Sequence, residues 1–152
     1  RVRTFAAHPL SPMQKMIDNG TFAPMNDEEV VEEIRLLLEN LDEMPTHFRC
    51  GDFSMNLLMQ VDGRLDQKKA AMIQEIDRYL SLSREQKQAF SLIQRSYPRE
   101  TPLNVVLNRD IVEKIRQEVQ KLEDQEDGGF DKHIRTLLSY QLPQPQTDCW
   151  ET

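Results

Sequence analysis

His47 and Cys50 stand with two residues between them near the middle of the chain, and Asp52 follows closely. An imidazole and a thiolate at this spacing can place two ligands on one ion, as half of a tetrahedral zinc site. The other half would have to come from His8, His133 or Cys149, the remaining side chains of suitable type. His47 and Cys50 are thus the candidate metal ligands, short of a full set. The same residues could pair a nucleophile with its base, with His47 or His8 activating Cys50 and Asp52 orienting the ring. The plainer assignment of Cys50 is a small, half-buried apolar residue. Adjacent acids such as Glu28-Glu29 and Glu32-Glu33 fall on helical faces, where they are solvated charges before they are general acids. The five glycines, at 20, 51, 63, 128 and 129, build no phosphate-cradling loop. Two cysteines cannot supply the three or four thiolates of an iron-sulfur cluster, so this chain alone binds none. No catalytic residue is assigned.

The elements that would position these residues are mostly helices. Residues 1–6, Arg-Val-Arg-Thr-Phe-Ala, alternate polar and apolar side chains and predict a short strand with one buried face. Ser11-Pro12 opens a short helix that Gly20 stops. Asn26 caps a strong helix with Glu29 completing a capping box, and its apolar stripe is Val30, Val31, Ile34, Leu37, Leu38 and Leu41. After Pro45, Thr46 to Cys50 reads as a second extended piece, residues 53–59 as a helical turn or two, and Val61-Asp62-Gly63 as a break. Asp66 is the expected cap of a helix over 67–81, and Ser83 with Gln86 opens another over 84–96. One long helix is predicted over 103–124, its core face carrying Leu103, Val106, Leu107, Ile111, Ile115, Val119 and Leu122. The acidic run at 123–127 and Gly128-Gly129 predict a solvated hinge. Asp131 is expected to cap a last helix, followed by a flexible tail from Pro143 that ends near Cys149-Trp150.

The chain has 152 residues, with 19 Lys and Arg against 26 Asp and Glu, a formal net charge of −7. That balance repels a phosphate backbone, and no basic stripe interleaved with aromatics offsets it, so direct nucleic-acid binding is disfavoured. No apolar run approaches the roughly 18–20 residues that span a bilayer, so no membrane association is expected. With only two cysteines and no apolar leader, a reducing, cytoplasmic setting is the expectation. The expected fold class is mainly α: a helical domain or extension with one or two short N-terminal strands.

From Val2 to about Arg95 the chain resembles the C-terminal part of bacterial radical S-adenosylmethionine (radical SAM) proteins. The first matching block is His8-Pro9-Leu10-Ser11-Pro12-Met13, then Asn19-Gly20-Thr21-Phe22, then Asn26-Asp27-Glu28-Glu29 into the long helix. The second is Thr46-His47-Phe48-Arg49-Cys50-Gly51-Asp52-Phe53, followed by Asn56-Leu57-Leu58, Asp62-Gly63-Arg64-Leu65 and Lys68 to Leu80. Such proteins more usually carry a Ser-Asp pair and a following His near Cys50-Gly51-Asp52-Phe53, and the chain departs from them there. The CxxxCxxC motif, whose thiolates hold a 4Fe-4S cluster that binds S-adenosylmethionine, is absent.

The resemblance implies the last strand of a partial α/β barrel plus a helical extension. On it 1–45 is the barrel's end and 46–97 a helical extension; it does not reach past Pro98, where the apolar periodicity gives 98–142 as a further helical pair and 143–152 as the tail. It also implies an upstream barrel in the same polypeptide that holds the cluster and S-adenosylmethionine. Thr46 to Asp52 would then cross the barrel mouth, with Arg49 and Asp52 the candidate contacts to substrate or cofactor. Their alternative role is a surface ion pair or a turn cap. The competing functional reading is a stand-alone helical protein-protein interaction module without catalytic activity, docking through the 103–124 helix and the Cys149-Trp150 tail. The two differ at the first strand: a self-contained module buries Val2 and Phe5, whereas a barrel's end leaves that strand edge unpaired.

Overall fold

The computed structural model describes residues 1–50, 56–97 and 101–142. Among them are six α-helices, one 3-10 turn and a two-stranded antiparallel sheet, so the chain is mainly helical as the apolar periodicity predicts. The short helix α1 (Pro12–Asp18) starts at Ser11, whose side chain accepts the Gln14 N–H, and Gly20 follows in the left-handed region at φ +74°. Helix α2 (Asp27–Asn40) has the full capping box, in which Asn26 accepts the Glu29 N–H and Glu29 accepts the Asn26 N–H.

Strand β1 (His47–Arg49) pairs with β2 (Asp62–Arg64) in the register His47 opposite Arg64 and Arg49 opposite Asp62. The Asp62-Gly63 stretch expected to be a break is therefore a strand. Helix α3 (Leu65–Leu80) leaves β2 directly. Arg64 occupies its cap position, and Asp66 lies inside the first turn, where it complements the helix dipole without capping it. Helix α4 (Arg84–Ser96) carries the expected Ser83–Gln86 capping box.

The single helix expected over 103–124 is two elements, a 3-10 turn (Leu103–Leu107) and helix α5 (Arg109–Gln125). Asn108 separates them by accepting the backbone N–H groups of Asp110 and Ile111 on its side chain, the competition that makes Asn a cap in preference to a helix interior. Helix α6 (Gly129–Tyr140) begins after Gly128 at φ +70°, so Asp131 is a first-turn acid and not its cap. Residues 53–55 of the helical turn expected over 53–59, and the tail 143–152, lie outside the described residues. The described remainder of that turn is bend and turn, not helix.

The main core gathers Val31, Ile34 and Leu38 of α2, Phe48 and Cys50, Leu57, Leu58 and Val61, Met72, Ile76 and Tyr79 of α3, Phe90 of α4, and Leu103 and Val106 of the 3-10 turn. A smaller cluster joins Val119 of α5 to Phe130, Ile134 and Leu138 of α6. Asp27 and Arg95 form a buried two-point ion pair, Nη2 to Oδ1 at 2.5 Å and Nε to Oδ2 at 3.3 Å, tying the start of α2 to the end of α4.

Candidate functional site

Residues 1–6 keep the period-two burial that their sequence predicts, but they form no strand in the sheet. Arg1, Arg3 and Phe5 face outward, while Val2, Thr4 and Ala6 turn in, Val2 against the main core and Ala6 against the smaller cluster. The Leu65 N–H donates to Thr46 O, continuing the β1–β2 register. By the alternation of an antiparallel ladder, the Arg49 carbonyl then points to the edge of β1 away from β2. There the Val2 N–H takes it at 2.9 Å.

The rest of the attachment is Asn56, which is fully buried. Its Oδ1 accepts the Thr4 N–H at 2.7 Å and the Thr4 hydroxyl at 3.0 Å. Its Nδ2 donates to Val2 O at 2.7 Å and to Cys50 O at 2.5 Å. One amide thus satisfies both edges of the gap between the N-terminal segment and the end of β1. On the outer edge, the Phe5 N–H and C=O have no hydrogen-bond partner among the described residues. The Phe5 ring, 45% exposed, meets Phe22 edge-on at 5.5 Å.

The strand geometry separates the candidate metal ligands. His47 and Arg49 lie on the exposed face of β1 and Phe48 on the buried one, with Cys50 beyond it only 1% exposed. Alternate side chains of an extended chain point to opposite faces, so His47 and Cys50 diverge and cannot share an ion without rebuilding the strand. His47 pairs instead with Asp62 across the hairpin, Nε2 to Oδ1 at 2.5 Å. Among the described residues no three His, Cys, Asp or Glu side chains cluster as a metal site. Asp52 lies outside the described residues. Arg49 is exposed beside His47, opposite Asp62, and its carbonyl anchors Val2. On the same hairpin Arg64 binds Asp66 through Nε and Nη2, which holds the Asp66 carboxyl below its usual value.

A cleft of about 680 Å³ opens between the N-terminal segment, α1 and α6, with Phe5, Ile17, Arg135 and Tyr140 on its walls. Three of its charges are already engaged: Lys132 pairs with Glu126, and Asp18 accepts from Gln14. Beside it, the Asp131 carboxyl is pushed up by burial, against the pull of Arg135. Among the described residues no nucleophile–base pair forms there. Asn56 and Asp62 are the two site residues that sequence reasoning does not find. A buried amide serving backbone groups of two distant segments leaves no local pattern, and Asp62 reads as a turn residue beside Gly63.

The fold and this site define a small helical protein whose hairpin carries an extended, half-tethered N-terminal segment. Comparison of the chain with protein families, curated proteins and solved structures finds no match. No helix among the described residues is long and apolar enough to cross a membrane.

Proposed function

We propose that this chain is the C-terminal, non-cluster-binding region of a radical SAM enzyme, closing and covering a catalytic barrel that precedes it in the same polypeptide. The family assignment rests on the sequence resemblance. The observation that supports the closing role is the N-terminal segment: its inner edge is tied to Arg49 O and Asn56, while Phe5 on the outer edge has no backbone partner among the described residues and its ring stands 45% exposed. An open edge of this kind accepts a neighbouring strand. In this reading the exposed Arg49 lies at the barrel mouth, and Asp52 with it, as contacts to substrate or S-adenosylmethionine.

The residues present do not fit a 4Fe-4S cluster. The chain has two cysteines, and Cys50 is 1% exposed beneath the hairpin. The cluster ligands, and with them the cleavage of S-adenosylmethionine, belong to the preceding barrel. A second reading, a stand-alone helical interaction module, is favoured by Thr4, which is 5% exposed and held by Asn56 inside the chain's own fold.

The test is the natural reading frame upstream of Arg1 together with the intact mass of the native protein. The barrel reading expects about 200–300 further residues containing CxxxCxxC, a length suited to an α/β barrel. A start codon directly before Arg1 and a native mass of 17.9 kDa would overturn it and leave the interaction module.

A further inference from the structure

Helix α2 shows a second apolar surface beside its core stripe. Leu36 and Leu37 are 60% and 39% exposed, although both lie in the middle of the element. With Val2 and Ile34 they line a groove of about 410 Å³, whose polar lining is Glu33 and Asn40. Among the described residues the one charge lining it is Glu33, and neither Glu33 nor its neighbour Glu32 has an ion-pair partner there; the exposed Asp42 and Glu43 follow the helix. Arg1 and Arg3 flank Val2 in sequence but lie on the opposite face of the extended segment.

We propose that this groove seats one amphipathic helix of a separate protein, whose apolar side packs on Leu36, Leu37 and Val2 and whose flanks carry Lys or Arg. An apolar groove is what the apolar face of an amphipathic helix recognises, and a basic flank complements Glu33 in the lining and the exposed acids Glu32, Asp42 and Glu43 near it in sequence. A second copy of the chain is disfavoured, because a two-fold contact through this face brings two acidic rims together. The groove does not depend on the barrel reading. Strand pairing at Phe5 uses the outer edge of the N-terminal segment, while the groove uses the Val2 face that looks toward α2.

The experiment titrates two labelled amphipathic helical peptides, with identical leucine faces and either Lys or Glu flanks, into this chain and into the natural full-length protein. The Lys peptide is expected to bind at least about tenfold more tightly than the Glu peptide, with affinity falling as salt rises. Leu36→Ser with Leu37→Ser is expected to weaken it about tenfold or more while leaving the thermal midpoint within a few degrees, since both side chains are solvent-facing. Glu32→Gln with Glu33→Gln is expected to flatten the salt dependence. Equal binding of the two peptides, or binding indifferent to the leucine substitutions, overturns the proposal. So does a concentration-dependent dimer that the same substitutions abolish, or a full-length protein in which the groove no longer takes the Lys peptide.

Discussion

Replacing Asn56 tests whether one buried amide holds the N-terminal segment in place. The side chain makes four hydrogen bonds, to Thr4 N–H, the Thr4 hydroxyl, Val2 O and Cys50 O. Asn56→Ala leaves the Thr4 N–H without a partner in a buried setting and takes a hydrogen bond from the Cys50 carbonyl, at about 1–2 kcal/mol each, while the Thr4 hydroxyl can rotate and Val2 O can reach water. The expected loss is about 2–4 kcal/mol, a large part of the stability of an ordinary domain. The Asp variant sharpens the argument, because its size is unchanged but its carboxylate faces two carbonyl oxygens where Nδ2 donated. Its folded pKa must rise above the ordinary value of about 3.9, since only the protonated acid can donate. Asn56→Asp is therefore nearest to wild type below about pH 4 and loses stability as pH rises through the raised value. Urea denaturation at several pH values gives both numbers. Hydrogen exchange adds that the Val2 and Thr4 amides, protected in the wild type, open in either variant before the amides of α3. A loss under about 1 kcal/mol for Asn56→Ala, or an Asp variant whose stability does not depend on pH below neutrality, would refute the clamp.

Arg95→Met strands Asp27, which is 8% exposed, and is expected to cost about 3–5 kcal/mol in denaturation experiments, whereas Asp27→Asn with Arg95→Met costs clearly less than the sum of the single changes. Gly129→Ala places a Cβ 2.0 Å from the backbone oxygen of Leu122, so α5 and α6 must separate; the measured loss is expected to exceed the roughly 1 kcal/mol that Ala usually gains over Gly inside a helix, with the sign reversed. Burial pushes the Tyr79 hydroxyl above its ordinary value, against the favourable hydrogen bond from Ser91, while Tyr97 and Tyr140 are 63% and 72% exposed. Absorbance at alkaline pH should show the Tyr79 phenol ionising only with unfolding. Because the folded pKa is the raised one, that stability is complete below about pH 10 and is lost as pH climbs beyond it.

Local signals were legible and distant ones were not. The capping boxes at Asn26–Glu29 and Ser83–Gln86 appear where the sequence places them, because each depends on residues within one turn. The Asp66 and Asp131 assignments fail by a residue or two, since an acid favours any first-turn position and the letter alone does not distinguish a cap from a dipole partner. The apolar spacing from Leu103 to Leu122 runs on without Pro or Gly, which hid the break at Asn108; the only local sign was an Asn with Asp110 two residues on. Strand β2 was invisible because Asp62-Gly63-Arg64 has turn composition and becomes a strand only through its pairing with β1. Periodicity puts Leu37 in the core stripe, yet the buried stripe of α2 is narrower, and it leaves Leu37 with Leu36 on the outer groove.

Cys50 shows why close spacing of reactive residue types was a poor guide to chemistry in this chain. A strand through residues 47–49 turns the two-residue separation of His47 and Cys50 into opposite faces. The thiol then packs under the hairpin beside Val61 and Leu57, and the imidazole turns to Asp62. What the strand does bring together is backbone: the Arg49 and Cys50 carbonyls and the N-terminal segment, joined by Val2 and Asn56. A segment of six residues whose inward side chains are only Val2, Thr4 and Ala6 buries too little apolar surface to hold itself in place. Buried hydrogen bonds must therefore fix it, and they fix one edge while the outer edge stays open at Phe5. The position of that edge is thus set by the amide at Asn56, not by any of the candidate catalytic or metal-binding side chains.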